Sequence, residues 1–186
     1  MSRPKLLDLF CGAGGCSVGY HRAGFDVTGV DRDPHPDYPY RLTEGDALAI
    51  LADPDLLDGF DAIHASPPCQ GYTTMSNRWR GAGGKADAHD NLITEVRHYL
   101  EQWGGPYVIE NVPGARRDMR DPITLRGGHF GLGVDRPRLF ESNVPLTVPA
   151  HRRVSDRVDR QRQSHRFAAS STTRNLSTSR RRKPVR

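Results

Sequence analysis

The sequence predicts an α/β fold in which a mostly parallel sheet is covered by helices on both faces. Three observations predict it. Short apolar runs alternate with helix-like or glycine-opened stretches through the first 150 residues. Each run stops at a polar or turn-forming cluster, as buried parallel strands do. The chain has 186 residues, of which 35% are hydrophobic and 26% charged, enough for one sizeable core and too polar for a membrane protein.

The elements follow in order. Lys5 to Phe10 reads as a buried strand, then the glycine-rich CGAGGC opens a helix through Ser17 to Arg22. Asp26 to Val30 is a second strand ending at Asp31. After DRDPHPDYPY a third strand leads to Gly45-Asp46, with a short helix near Ala47 to Leu51. Phe60 to Ala65 is a fourth strand, stopped by Ser66-Pro67-Pro68. A long glycine- and charge-rich loop follows, expected to move. Leu92, Val96, Tyr99, Leu100 and Trp103 have the spacing of an amphipathic helix over Asn91 to Trp103. Pro106 to Ile109 is a fifth strand ending at Glu110, and Arg136 and Arg138 alternate along a sixth, which would point both to one side.

Charge divides the chain in two. Residues 151–186 hold 12 Lys and Arg against 2 Asp, whereas residues 1–150 hold 15 basic and 20 acidic residues, so the net charge of +5 belongs to the tail. That Arg/Ser/Thr-rich tail has no apolar period and is expected to be disordered, beside a folded domain over 1–150. Asp8 interrupts the only apolar run near the start, which leaves no secretion signal, and three cysteines argue for a reducing, cytoplasmic setting. A monomer with no metal and no membrane partner is expected.

Ligands of open parallel sheets collect beyond the carboxyl ends of the strands. Those ends here carry FCGAGG, Asp31, Gly45-Asp46, Pro67-Pro68-Cys69-Gln70 and Glu110-Asn111-Val112. The glycines allow close approach of a ligand to backbone amides, or make only a turn; Asp31 beside them suits ribose hydroxyls. Cys69, held at a rigid strand end, reads as a nucleophile against the commoner inert core cysteine. Cys11 and Cys16 lack zinc-site spacing and read as packing residues. Glu110 either holds a proton for donation or closes an ion pair or cap. Arg136 and Arg138 either bind a phosphate or carbonyl oxygen or are solvated surface.

In this order the motifs resemble those of the C5-cytosine DNA methyltransferases, in the compact form found in phages. DLFCGAGG, GVDRDP, GDA, ASPPCQGYT, VIENVPG and RPRLF carry the resemblance over about residues 5–141. It implies a Rossmann-like S-adenosylmethionine-dependent methyltransferase fold, cytosine-containing duplex DNA as substrate, and a restriction–modification or phage setting. By similarity Cys69 adds to carbon 6 of a flipped cytosine, Glu110 protonates or hydrogen-bonds ring nitrogen 3, Arg138 contacts the ring carbonyl oxygen, and Arg136 supports Glu110 or a phosphate. S-adenosylmethionine would lie against Phe10, Cys11, Gly12, Ala13, Gly14 and Gly15, with its ribose on Asp31 and its adenine near Arg32, Asp46 and Ala47. Arg32 stands where the family commonly has an aromatic or apolar residue. Pro68 would border the cofactor and, with Gln70, position the nucleophile; Gln70 and Asn111 would face the substrate, and Gly71 to Asp90 would close over it.

No target-recognition or closing motif of the family is recognisable after Leu146, and Val134 replaces the family's glutamine. The resemblance therefore also implies a truncated or frame-shifted enzyme. Two alternatives stand beside it: a catalytically impaired nucleic-acid-binding remnant, and an RNA cytosine-5 methyltransferase.

Overall fold

A computed structural model describes residues 2–68 and 92–150. The expected loop over Gly71 to Asp90, Cys69 and Gln70, read as the nucleophile and a residue beside it, and the tail over 151–186 lie outside the described residues. The strands are β1 (Lys5–Leu9), β2 (Asp26–Asp31), β3 (Arg41–Glu44), β4 (Ala62–Ala65), β5 (Tyr107–Asn111), β6 (Ile123–Leu125) and β7 (Arg138–Ser142). The helices are α1 (Gly15–Arg22), α2 (Ala47–Leu51), α3 (Pro54–Leu57) and α4 (Leu92–Trp103). All seven strands form one sheet in the order β3-β2-β1-β4-β5-β7-β6. Strands β1 to β5 pair in parallel, and β7 runs antiparallel to both β5 and β6. The sheet and its helices make one compact unit, Met1–Arg126 with Arg136–Val148; Gly127–Asp135 belong to a second, where Leu132 N–H donates to Gly127 O at 2.9 Å. Among the described residues no helix is long and apolar enough to cross a membrane.

The period of two along each strand gives the sheet two unlike faces. Leu7 and Leu9 of β1, Ile63 and Ala65 of β4, and Tyr107 and Ile109 of β5 project to one side. There they join Leu51, Leu57, Ile93, Val96, Leu100 and Leu139 in the apolar core. The alternate positions, Asp8, His64 and Glu110, project to the other side, where Ser17 and Tyr20 of α1 meet Asp8 and His64. Polar groups are thus concentrated on one face, and the opposite face supplies the hydrophobic driving force.

Five differences from the sequence reading have local causes. Helix α1 starts at Gly15 because Gly14, at φ 82°, adopts the left-handed conformation that turns the chain into it. Helix α3 was not expected; Asp53 caps it through the Asp55 amide at 3.1 Å, and Pro54 opens its first turn. Strand β5 continues through Glu110 to Asn111, because β7 pairs with it over that stretch. The expected sixth strand begins only at Arg138: Pro137 has no N–H to give a ladder, so Arg136 precedes β7 instead of alternating along it. The short β6 was missed too, having only three residues and no buried position to mark it.

One buried ion pair ties these last elements together. Arg97 of α4 donates to both carboxylate oxygens of Glu141 on β7, at 2.5 and 2.7 Å, and to Asp118 O at 2.6 Å, while Arg120 N–H also donates to Glu141. Removing the cation would strand a buried carboxylate. Arg97→Leu is expected to cost about 3–5 kcal/mol in denaturant unfolding; a loss below about 1 kcal/mol would show that the pair is not what holds α4 to β7.

Candidate active site

The end of β1 makes a tight turn. Phe10 and Gly12 both have positive φ, 58° and 50°, and Cys11 N–H donates back to Val30 O at 3.1 Å. A side chain at Gly12 would meet nothing within 4 Å, so the turn faces open space. Gly12 N–H donates to Asp31 Oδ2 at 2.8 Å, and Asp33 N–H to Oδ1 at 3.1 Å. Burial pushes the Asp31 carboxyl up, but these two amides and nearby His35 outweigh it and hold the group below the usual carboxylate range. Asp46 caps α2 through Leu48 N–H at 2.9 Å and pairs with Arg32 at 2.6 Å; the amide first and then the guanidinium keep it ionised. Beside them opens a cleft of about 510 Å³, bordered by Phe10, Asp31, Asp46, Leu48, Ser66 and Pro68.

The polar face of the sheet holds a connected cluster. Ser17 Oγ donates to Asp8 Oδ2 and shares a 2.8 Å bond with Tyr38 Oη. Tyr38 reaches that point because residue 29 is glycine: a Cβ there would lie 2.2 Å from the Tyr38 hydroxyl oxygen. Asp8 Oδ1 has no partner, the one such buried side-chain atom among the described residues, and burial pushes the Asp8 carboxyl up to about 6. Ligand atoms of Asp8, Cys16 and His64 lie within 4.8 Å of one another. Burial drives His64 down to about 4, while burial followed by Asp8 and Glu110 drives Cys16 up to about 12, so both are neutral near pH 7. Both ring nitrogens of His64 are already engaged, Nδ1 by Tyr20 Oη at 3.0 Å and Nε2 by Ser66 Oγ at 2.8 Å. Within the trio Cys16 Sγ lies 3.4 Å from His64 Nε2, while Asp8 bonds Ser17 through Oδ2 and leaves Oδ1 unpartnered.

Glu110 lies one step along this face. The β4–β5 register pairs Ala65 with Ile109, which sets Ser66 beside Glu110. Burial raises the Glu110 pKa; Arg138, a hydrogen bond from Ser66, and Arg136 pull it back in that order. Arg138 Nε is 2.8 Å from Glu110 Oε1. On the opposite face, Asn111 is buried and donates to Pro67 O at 3.0 Å, while its own oxygen accepts from Val112 N–H. The residue after Glu110 therefore grips the backbone two residues before Cys69.

Residues 4–122 match the family model described as C-5 cytosine-specific DNA methylase. The chain belongs to that family. It is 35% identical over 189 residues to the Type II methyltransferase M.XorII of Xanthomonas oryzae pv. oryzae, covering 81% of this chain and 43% of that protein. It is 32% identical over 127 residues to M.AquIA of Picosynechococcus, covering 59% of this chain and 49% of that one. The chain thus spans less than half the length of these two relatives. Among solved structures it resembles a mutant of DNMT2 from Spodoptera frugiperda, with a TM-score of 0.51 and 19% identity, over 82% of this chain and 50% of that one. That likeness, with the strand order above, shows a Rossmann-like methyltransferase fold.

For this methylase-family chain the expected site residues fall into three groups. Phe10, Asp31, Arg32, Asp46, Ala47 and Pro68 border the cleft. Gly12 and Ala13 form the turn at the end of β1 and Gly15 opens α1, whereas Cys11 is buried and Gly14 packs against Tyr38 and Pro39. Glu110, Arg138 and Arg136 cluster at β5 and β7. Asn111 is turned inward onto Pro67, away from the substrate-facing place expected of it, because position 111 falls on the core side of β5. Sequence reasoning missed Asp8, Tyr38, His64 and Ser66. The one signal for them was polarity inside apolar strands, at Asp8 and His64.

Asp8 leaves a measurable trace. Its folded pKa lies above the unfolded value of 3.8, so its stabilising contribution is complete below about pH 4 and is lost as pH rises through about 6. Asp8→Asn should flatten that slope, gaining roughly 1–3 kcal/mol relative to the parent between pH 4 and pH 7. Parallel stability curves for parent and variant over this range would contradict the assignment.

Proposed function

We propose that the chain methylates carbon 5 of cytosine in DNA, with S-adenosylmethionine as donor, in the cytoplasm of a bacterial or phage-infected cell. The observation that carries this reading is the Glu110–Arg138 pair at 2.8 Å, beside the Ser66-Pro67-Pro68 segment that leads into Cys69. Membership of the methylase family and similarity to Type II methyltransferases support it.

The donor fits the residues present. The Gly12 turn has room where a side chain would be, the cleft is of nucleoside size, and an ionised Asp31 stands at its edge. Asp31 would hold the ribose, Arg32, Asp46 and Ala47 the adenine end, and Phe10 to Gly15 the methionine end. When bound, this sulfonium supplies an electrophilic methyl group.

The protein's own residues supply the remaining chemistry. Carbon 5 of cytosine is a weak nucleophile, and addition of the Cys69 thiolate at carbon 6 makes it an enamine carbon. Electron density arriving at ring nitrogen 3 needs a proton or a strong hydrogen bond. Glu110, its pKa raised by burial, is an acid able to give one. Arg138 would contact the base carbonyl oxygen, and Arg136 the Glu110 carboxylate or a phosphate. Gln70 would meet the base, while Asn111 holds the Pro67 carbonyl, two residues before the nucleophile in the chain. The target must leave the duplex to reach these groups. The basic residues of 151–186 would offset the acidic balance of the rest when phosphates bind.

A duplex carrying 5-fluorocytosine, incubated with the chain and S-adenosylmethionine, is expected to give a denaturation-resistant adduct that Cys69→Ala abolishes. No adduct, or one that survives that substitution, would contradict the reading. Asp31→Ala should weaken equilibrium binding of S-adenosylmethionine roughly 10- to 100-fold, the worth of a hydrogen bond to a charged group. Unchanged binding by calorimetry would remove Asp31 from the site.

A further inference from the structure

We infer that Tyr20, His64 and Ser66 form a one-way hydrogen-bond chain that ends on Glu110 and favours its carboxylate, making His64 and Ser66 positioning residues for that acid. The inference rests on Glu110 acting as the acid at the base, and it concerns three residues to which that reading gives no role.

The geometry sets the direction. Position 64 and position 66 share one face of β4, and the register places Ser66 next to Glu110. Ser66 is held there by its own N–H, which donates to Leu9 O at 3.1 Å. An ionised carboxylate only accepts, so the Ser66 hydroxyl that bonds Glu110 must spend its proton on it. The 2.8 Å contact between Ser66 Oγ and His64 Nε2 then needs the proton on Nε2. That tautomer leaves Nδ1 bare, and Tyr20 Oη stands 3.0 Å away to donate to it. Each donor points toward Glu110: Tyr20 O–H to Nδ1, Nε2–H to Ser66 Oγ, Ser66 O–H to the carboxylate.

The surroundings keep the chain uncharged. His64 is 1% exposed and faces Tyr20 and Cys16 of α1, Asp8 of β1 and Ser66, with Cys16 Sγ 3.4 Å from Nε2. Glu110 faces Arg138, Arg136, Ser66 and the Cys16 thiol, whose ionisation Glu110 opposes. A neutral imidazole donates without adding a full charge, so the carboxylate gains a polarised hydroxyl beside its ion pair with Arg138. When Glu110 gives its proton to ring nitrogen 3, the carboxylate left behind accepts from Ser66 and Arg138. The same proton returns when the base is released, and the chain itself transfers none.

The test uses the full chain and two NMR readouts that need no turnover. With ¹⁵N-labelled histidine, the His64 ring, assigned by its loss in His64→Gln, is expected to carry its proton on Nε2 at pH values where Glu110 is ionised. With ¹³Cδ-labelled glutamate, the Glu110 titration, assigned by Glu110→Gln, is expected to move up by about one pH unit in Ser66→Ala. It should return in Ser66→Thr, which restores the hydroxyl, and also rise in His64→Leu. An Nδ1-protonated ring in the parent protein, or a Glu110 midpoint that Ser66→Ala leaves in place or lowers, would overturn the inference. The tautomer is read on the parent protein, so it decides even if a variant does not fold. An adduct with 5-fluorocytosine alongside an unmoved midpoint would sink only the chain; its absence alongside a shifted midpoint would sink only the enzymatic reading.

Discussion

The pairing of β4 with β5 is the constraint on which the rest depends. Its register, Ile63 with Tyr107 through Ala65 with Ile109, decides that the two strands end side by side. One residue further, alternation sends the pairs to opposite faces. Ser66 and Glu110 meet on the polar face, and Pro67 and Asn111 meet on the other. A slip of one residue would exchange these partners and turn Glu110 into the core. The apolar side of the same strands, packed under α2 and α4, makes such a slip costly, because Ile63, Ala65 and Ile109 are almost wholly buried. Hydrophobic burial on one face thereby specifies polar geometry on the other.

This division explains how a chain of this size can hold so many ionisable groups close to its sheet. Asp8, Cys16, His64 and Glu110 share a region where desolvation disfavours every charge, and their pKa values move accordingly: carboxyls and thiol up, imidazole down. Glu110 pairs with Arg138 at 2.8 Å, and it stands at the strand end rather than inside the cluster. The glycine turn and Asp31 lie at the ends of β1 and β2, where backbone amides and His35 overcome desolvation and leave the carboxylate ionised. Two carboxylates on one sheet edge are thus tuned in opposite directions, one toward holding a proton and one toward staying ionised.

Much of this was legible in the sequence, because strands β1, β2, β4 and β5 are short apolar runs with polar punctuation at their carboxyl ends, while β3, RLTE, is marked mainly by its place before Gly45-Asp46. Their positions, the Gly14 turn, Asp31, Asp46 and Glu110 all follow from that pattern. What escaped was decided by tertiary contact. Strand β6 has no buried residue to mark it, and Pro137, just before β7, separates two arginines that look like neighbours on one strand. Asn111 reads as a site residue by its place after Glu110, yet the alternation of β5 turns it to the core side, where its amide serves Pro67. Tyr38 sits in a stretch that reads as a turn, and only the missing side chain at Gly29 lets it reach Ser17. Ser66 reads as the stop of a strand, while its bonds to His64 and Glu110 depend on residues 2 and 44 positions away.

The central claim is that the β4–β5 edge brings the Cys69 nucleophile and the Glu110 acid to one pyrimidine ring. A crystal structure of the chain covalently trapped on a cytosine analogue tests it most directly. The account predicts a bond from Cys69 Sγ to ring carbon 6 and a Glu110 carboxyl oxygen within hydrogen-bonding distance of nitrogen 3 of that same ring. A trapped base whose nitrogen 3 faces another group, with Glu110 out of reach, would contradict it.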